Sequence, residues 1–289
     1  MIHALLLPLA QTNPLEHVLD KPIVHTPGGF WLLSADVLSL LISAALMLLI
    51  FPAITKPYRR GEHIPTGTRN LFEAILVYLR EEMVRPILGE DTDRFIPYLW
   101  TLFFFILFNN LLGLLPLGPL TGGLLGRTAT ANLWVTGALA IMSFIVMQVS
   151  GIRSNGLVPY LKHFIGGAPL WLAPLMVPLE IIGMFIKPFA LAIRLFANMF
   201  AGHTVIAVLL MFTTMAFGAG VAFGWGVSIV VILASVAMMC LELFVAFLQT
   251  YIFVFLTAMF IGQLMVHEHD HKPGEISDAA RQAGVHMAG

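Results

Sequence analysis

Charge is what this chain lacks. Asp, Glu, Lys and Arg make up 11% of its 289 residues, against about 25% in an average soluble domain. So few charges cannot cover a water-facing surface. With 58% hydrophobic residues, the natural solvent is lipid. The formal net charge is -1, which argues against nucleic acid as a partner, because phosphate backbones demand a basic surface. Cysteine is almost missing as well. The single Cys240 lies in an apolar run, so no disulfide forms within the chain, and packing is its plainer role. The short apolar stretch at 4–10 has no basic residues before it, so a cleaved signal peptide is not expected. No internal repeat is evident.

What the chain does have is long apolar runs. Residues 30–55 form the first, marred only by Asp36 near its start. That suffices for one transmembrane helix, since about 20 residues cross the hydrocarbon. It stops at TKPYRRGE, a basic cluster with a proline, which opens a loop over 56–95. Within that loop, residues 69–88 alternate apolar and charged. Leu71, Ile75, Val77, Leu79 and Met83 fall roughly on one side at helical spacing. This predicts an amphipathic helix lying in the membrane interface or packed there. Residues 96–117 and 131–150 supply two more spans, a hairpin over 96–150, and a basic loop follows at 151–168.

The remainder, 169–266, holds two apolar stretches, 170–215 and 221–266, too long for perpendicular spans. A helix of about 45 residues extends roughly 68 Å at 1.5 Å per residue. Such helices must tilt strongly, curve or break, with Pro174, Pro178 and Pro188 as candidate bends. The reading is two long, strongly inclined helices. The fold class is therefore an all-α membrane protein with five crossings plus an interfacial amphipathic helix. Orientation follows from the basic residues. The loop between the first two spans holds Lys56, Arg59, Arg60, Arg69, Arg80, Arg85 and Arg94; the next holds Arg127; the third holds Arg153 and Lys162. This alternation puts residues 1–29 outside and the polar tail 267–289 in the cytoplasm.

Ionisable residues inside such segments cost roughly 2.5 to 3.5 kcal/mol each on insertion scales, so each needs a reason. The first long stretch contains Glu180, Lys187, Arg194 and His203; the second contains Glu242 and Gln249. Glu180, Lys187 and Arg194 are spaced by seven, so they drift only about 20° per step around a helix. Asn198 lies one turn beyond Arg194 on the same side, and His203 stands on the opposite face. If the two helices pack antiparallel with Arg194 level with Gln249, His203 and Glu242 arrive at similar depth, about 13.5 and 10.5 Å to the outside. Imidazole takes and releases protons near neutral pH, and a neighbouring carboxylate holds them or stabilises the imidazolium. Arg194 cannot give up its proton. It can instead keep a partner carboxylate ionised and stop protons leaking across. No carboxylate of this chain is found at a matching depth, so a second protein is expected to supply it.

Each residue also has a plainer reading. Lys187 could snorkel to the inner interface, Glu180 could sit in the headgroups, and His203 could be a hydrogen-bonded packing residue. Asn109 and Asn110 could be interhelical glue. The tail segment VHEHDHKPG, 266–274, could bind a metal weakly through its histidines, but a solvated terminus is the expectation.

The stretch PLEIIGMFIKPFALAIRLFANMFAGH, 178–203, closely resembles the signature helix of F-type ATP synthase subunit a. FNNLLGLLP in the second span and ELFVAFLQTYIFVFLT in the last helix extend the resemblance over nearly the whole chain, in order. In that family the arginine at the position of Arg194 faces the ring of c subunits. Asn198, Glu180, Lys187 and Gln249 fall on family positions that line or support two half-channels. His203 and Glu242 reverse a Glu and His pairing common in bacterial members, and Gly113 stands where some members have an acidic residue. The resemblance implies a non-catalytic stator subunit with no cofactor, set in the bacterial inner membrane. Protons would enter near Asn110, His203 and Glu242, load a c-ring carboxylate, and leave near Glu180 and Lys187 after nearly a full turn. Implied partners are the c ring, the b-subunit peripheral stalk, the remaining ATP synthase subunits and membrane lipid. A proton-coupled secondary transporter is the alternative, disfavoured by the missing repeat.

Overall fold

The computed structural model describes residues 22–25, 31–56, 67–115, 128–156, 160 and 172–265. Two short strands come first, β1 (Pro22–His25) and β2 (Trp31–Ser34), paired antiparallel with Pro22 opposite Ser34. Otherwise the described elements are helices, as the all-α class predicts. Ser34 both closes the hairpin and caps helix α1 (Ala35–Thr55), its side chain accepting from the Val37 amide at 3.3 Å. A cap satisfies one of the orphan amides of a helix start. The helix therefore begins at Ala35, later than the apolar run at residue 30.

Helix α2 (Thr68–Tyr78) passes through a π-helical stretch, Leu79–Val84, into the short α3 (Arg85–Leu88). Gly89 then turns the chain at φ 54°, a left-handed conformation open to glycine at little cost. Helix α4 (Thr92–Leu114) follows. The buried side of this region differs from the one read off the sequence. Leu71 and Val77 are exposed, whereas Leu79, Met83, Val84 and Leu88 are core residues, with Phe72, Ile75 and Leu76 packed against them. Both exposed residues precede the π stretch, and Val77, two residues from Ile75 and from Leu79, stands on the opposite side of a regular helix. Trp100 Nε1 donates to the Leu76 carbonyl at 3.1 Å, pinning α2 to α4. The rings of Phe51, Phe72 and Phe104 join α1, α2 and α4 with centroids 4.9 to 6.1 Å apart.

Helix α5 (Leu133–Asn155) is capped by Asn132, whose side chain accepts from the Trp134 amide at 3.0 Å. Within the bundle, Tyr98 donates to Ser143 Oγ at 3.0 Å, joining α4 to α5. Helices α6 (Ala173–Ala219) and α7 (Val221–Met265) have 47 and 45 residues and are unbroken, with Pro178 and Pro188 inside α6. At 1.5 Å per residue α6 runs about 70 Å, more than twice the roughly 30 Å of hydrocarbon. A strong incline is the only way to keep its apolar residues in lipid. The turn between them is tight, because a Cβ on Gly224 would lie 2.4 Å from the Phe217 ring. At the far end α3 packs on α7, where a Cβ on Gly262 would stand 2.9 Å from Ile87 Cγ2.

Among the described residues, five helical stretches are long and apolar enough to cross a membrane: Ala35–Thr55, Thr68–Leu114, Leu133–Ser154, Pro174–Ala219 and Val221–Met265. Their outward faces carry large apolar side chains such as Leu48, Trp134, Phe189, Ile232 and Phe244. So much exposed apolar surface is incompatible with water, and the chain is a multi-pass membrane protein.

Candidate functional site

The polar residues concentrate along the seam between α6 and α7, in layers. Nearest the α6–α7 turn, His203 Nε2 lies 3.6 Å from Glu242 Oε1. Glu242 is 2% exposed and neither of its oxygens has a hydrogen bond. The same imidazole nitrogen is 2.8 Å from the hydroxyl of Thr128. The pair that helical spacing brings to similar depth is thus in contact.

One layer further in, Asn198 Nδ2 donates to Gln249 Oε1 at 3.0 Å. This bond sets the register. Arg194 is not level with Gln249 but one turn beyond it, about 6 Å farther from the α6–α7 turn. The spacing by seven could not settle this, because it fixes which face a residue occupies but not how two helices slide past each other. Beside this layer, from α4, Asn110 is fully buried. It accepts from Thr130 Oγ1 at 2.7 Å and donates weakly to Thr250 Oγ1 at 3.4 Å. Asn109 turns back on its own helix, donating to the Phe105 carbonyl.

Arg194 sits in the middle of α6 on its outward face, and among the described residues no carboxylate pairs with it. Ala190, Ala197, Asn198 and Ala201 share that exposed face around it. Small neighbours leave the guanidinium accessible to a close-packed partner helix. Toward the other end, Lys187 donates to Gln263 Oε1 at 3.3 Å and lies over the Phe260 ring at 5.1 Å. Glu180 joins these two residues, with Gln148, in lining a pocket of about 60 Å³. Tyr160 closes the neighbourhood by donating to Gln148 Oε1.

The eight residues singled out from sequence therefore fall into two polar groups and a divide. Asn110, His203 and Glu242 lie on one side and Glu180 and Lys187 on the other, with Arg194 between and Asn198 and Gln249 adjoining. The sequence reading missed Thr128, Thr130, Thr250, Gln148 and Gln263. The two amides meet the same criterion that picked out Gln249, a polar side chain inside an apolar span. The threonines carry no such signal, since a hydroxyl in a helix often bonds its own backbone, as Thr250 does to Ala246. Among the described residues no group of three or more His, Cys, Asp or Glu could hold a metal; the histidine-bearing tail and the stretch at 4–10 lie outside them.

Gly202 makes room for this arrangement. A Cβ there would stand 2.7 Å from Glu242 Oε1 and 2.8 Å from its carboxyl carbon. Gly202→Leu is expected to force the carboxylate away from His203 and to lower proton transfer between the two about tenfold or more, measured as proton flux across membrane vesicles, as loss of a positioned proton-transfer group does. Unchanged flux would show that the close approach of the two helices is not needed.

Comparison with known proteins agrees with the architecture. The ATP synthase A chain family matches residues 37–262. An ATP synthase subunit a of Anaeromyxobacter dehalogenans strain 2CP-C is 43% identical over 88% of this chain and 64% of its own length. Those of Myxococcus xanthus and Chloroherpeton thalassium are 42% and 40% identical, over 85% and 90% of this chain and 78% and 80% of theirs. The chain thus spans less than two thirds of the Anaeromyxobacter relative. A match running from the first transmembrane helix almost to the end of α7, with relatives alike over most of the chain, makes this protein a member of the ATP synthase A chain family.

Proposed function

We propose that the chain is the proton-translocating stator subunit of a rotary ATP synthase, non-catalytic by itself, which offers two offset half-channels to a ring of c subunits. The observation that carries the reading is the guanidinium of Arg194, exposed midway along α6 with no carboxylate partner among the described residues, between two separate polar groups. A buried or lipid-facing charge demands a partner, and the ring carboxylate supplies it. Protons reach the ring from the outside past Asn110, His203 and Glu242, and the loaded carboxylate turns away through lipid. It then discharges toward the pocket of Glu180 and Lys187 while Arg194 holds the ionised form. Asn198 and Gln249 brace the seam beside the arginine. Each charge crossing the membrane gains about 2.3 kcal/mol per 100 mV, and rotation sums these increments for ATP synthesis.

The b-subunit peripheral stalk and the other ATP synthase subunits complete the partner set. The location is the bacterial inner membrane, with residues 1–29 outside and the tail 267–289 cytoplasmic, as the alternation of basic loops supports. The 56–95 loop carries its helix at the cytoplasmic interface, the hairpin is 96–150, the loop 151–168 is cytoplasmic, and 169–266 bear the proton path. Membership of the family disfavours the secondary-transporter alternative.

Cross-linking tests the contact with the ring. With Cys240→Ser as background, Ala190→Cys and Ala197→Cys lie one turn either side of Arg194 on its exposed face. Both are expected to form disulfides, on oxidation of the assembled complex, with a cysteine placed next to the ring carboxylate. Ala192→Cys, from the buried face, should not. Failure of both exposed positions to cross-link would refute the ring contact.

A further inference from the structure

We infer that the hydroxyl of Thr128 hands protons to His203 on the outer side of the path. It rests on the proton-path reading above. Three observations carry it. The Nε2 of His203 has two oxygens around it, Thr128 Oγ1 at 2.8 Å and Glu242 Oε1 at 3.6 Å. One nitrogen flanked by a hydroxyl and a carboxylate has the geometry of a transfer in on one side and out on the other.

Thr128 is also buried, 2% exposed, and its hydroxyl lies against a glycine. A Cβ on Gly113 would fall 1.4 Å from Thr128 Oγ1, so the hydroxyl occupies the space that any side chain at 113 would need. The sequence offers no other reason for a glycine near the end of α4, where the chain is regular helix and alanine would be preferred.

Finally, the segment is clipped just beyond the hydroxyl. Thr130 donates to Asn110 at 2.7 Å and Asn132 donates to Asp36 Oδ2 at 2.8 Å. Three alternate side chains of one short segment thus reach α6, α4 and α1. Those bonds hold Thr128 in place as the two long helices work against the ring.

The chemistry suits a hydroxyl. Toward neutral imidazole it donates to the Nε2 lone pair, and toward imidazolium it accepts from Nε2–H. In the transfer the Thr128 O–H bond breaks as an Nε2–H bond forms. The oxygen takes a replacement proton from water, which is left as hydroxide on the outer side, and the Nε2–H bond then breaks as the ionised Glu242 carboxylate takes that proton. The hydroxyl is regenerated and one proton has moved inward.

The test is proton-driven ATP synthesis by the whole complex in vesicles, for Thr128→Ser, Thr128→Val and Gly113→Ala. Thr128→Ser keeps the hydroxyl and should stay within about twofold of the parent. Thr128→Val keeps the shape without the hydroxyl, and Gly113→Ala displaces it. Both should fall about tenfold or more, at the lower end of what a positioned proton donor contributes. Packing alone would produce the reverse order, with valine tolerated and serine impaired. That result, or full activity in Thr128→Val, would overturn the inference. Arg194→Ala run alongside separates the two levels: an inactive arginine variant with active Thr128→Val sinks only the threonine, whereas an active arginine variant sinks the path itself.

Discussion

Arg194→Ala is expected to abolish ATP-driven proton pumping in inverted membrane vesicles, reducing it to the background of uncoupled membranes. Arg194 carries a charge that no physiological pH removes, and among the described residues no carboxylate answers it. On the proposed mechanism, a ring carboxylate passing this point loses its proton in a place where an isolated ion is costly by many kcal/mol. Only a fixed positive charge offsets that cost. Without it the carboxylate stays neutral, and the ring can rotate without a net release of protons on the far side. Arg194→Lys is expected to recover little of the pumping, because an ammonium desolvates poorly and can itself lose a proton when buried. Normal pumping by Arg194→Ala would refute the role.

The second large effect concerns the pair on the other side of the divide. His203→Ala or Glu242→Ala should each lower proton-driven synthesis at least tenfold, within the range for removing one partner of a proton-transfer pair. The reason is burial. Glu242 is 2% exposed and has no hydrogen bond, so the imidazole 3.6 Å away is the group that answers its charge. Exchanging the two, His203→Glu with Glu242→His, puts the same chemistry at the same depth with the donors swapped. The double variant is therefore expected to retain several-fold more activity than either His203→Glu or Glu242→His alone, the signature of direct coupling in a double-mutant cycle. Equal loss in all three would dissolve the pair.

Between these two groups the structure supplies what residue spacing could not. Glu180, Lys187 and Arg194 share a helical face by arithmetic, yet they do not share an environment. Lys187 and Glu180 line a pocket with Gln148 and Gln263, while Arg194 is exposed beside Ala190, Ala197 and Ala201. Gln148 belongs to α5 and Gln263 to the last turns of α7, so their meeting depends on how three helices pack. Likewise Thr128 lies five residues before α5 and looks like an ordinary loop threonine until His203 is seen beside it.

Composition and periodicity by themselves decided that this chain lives in lipid, that it crosses five times, and that its last two helices exceed the membrane's thickness. Those properties depend only on transfer free energies summed along the chain and on the fixed rise of a helix. The intramembrane charges were legible for the same reason, each being costly wherever the helix happens to pack. Tertiary structure alone decided the sliding register that pairs Asn198 rather than Arg194 with Gln249. It also decided the meeting of Thr128 with Gly113 and His203. These are contacts between segments far apart in sequence, set by side-chain interlock, on which no local pattern depends.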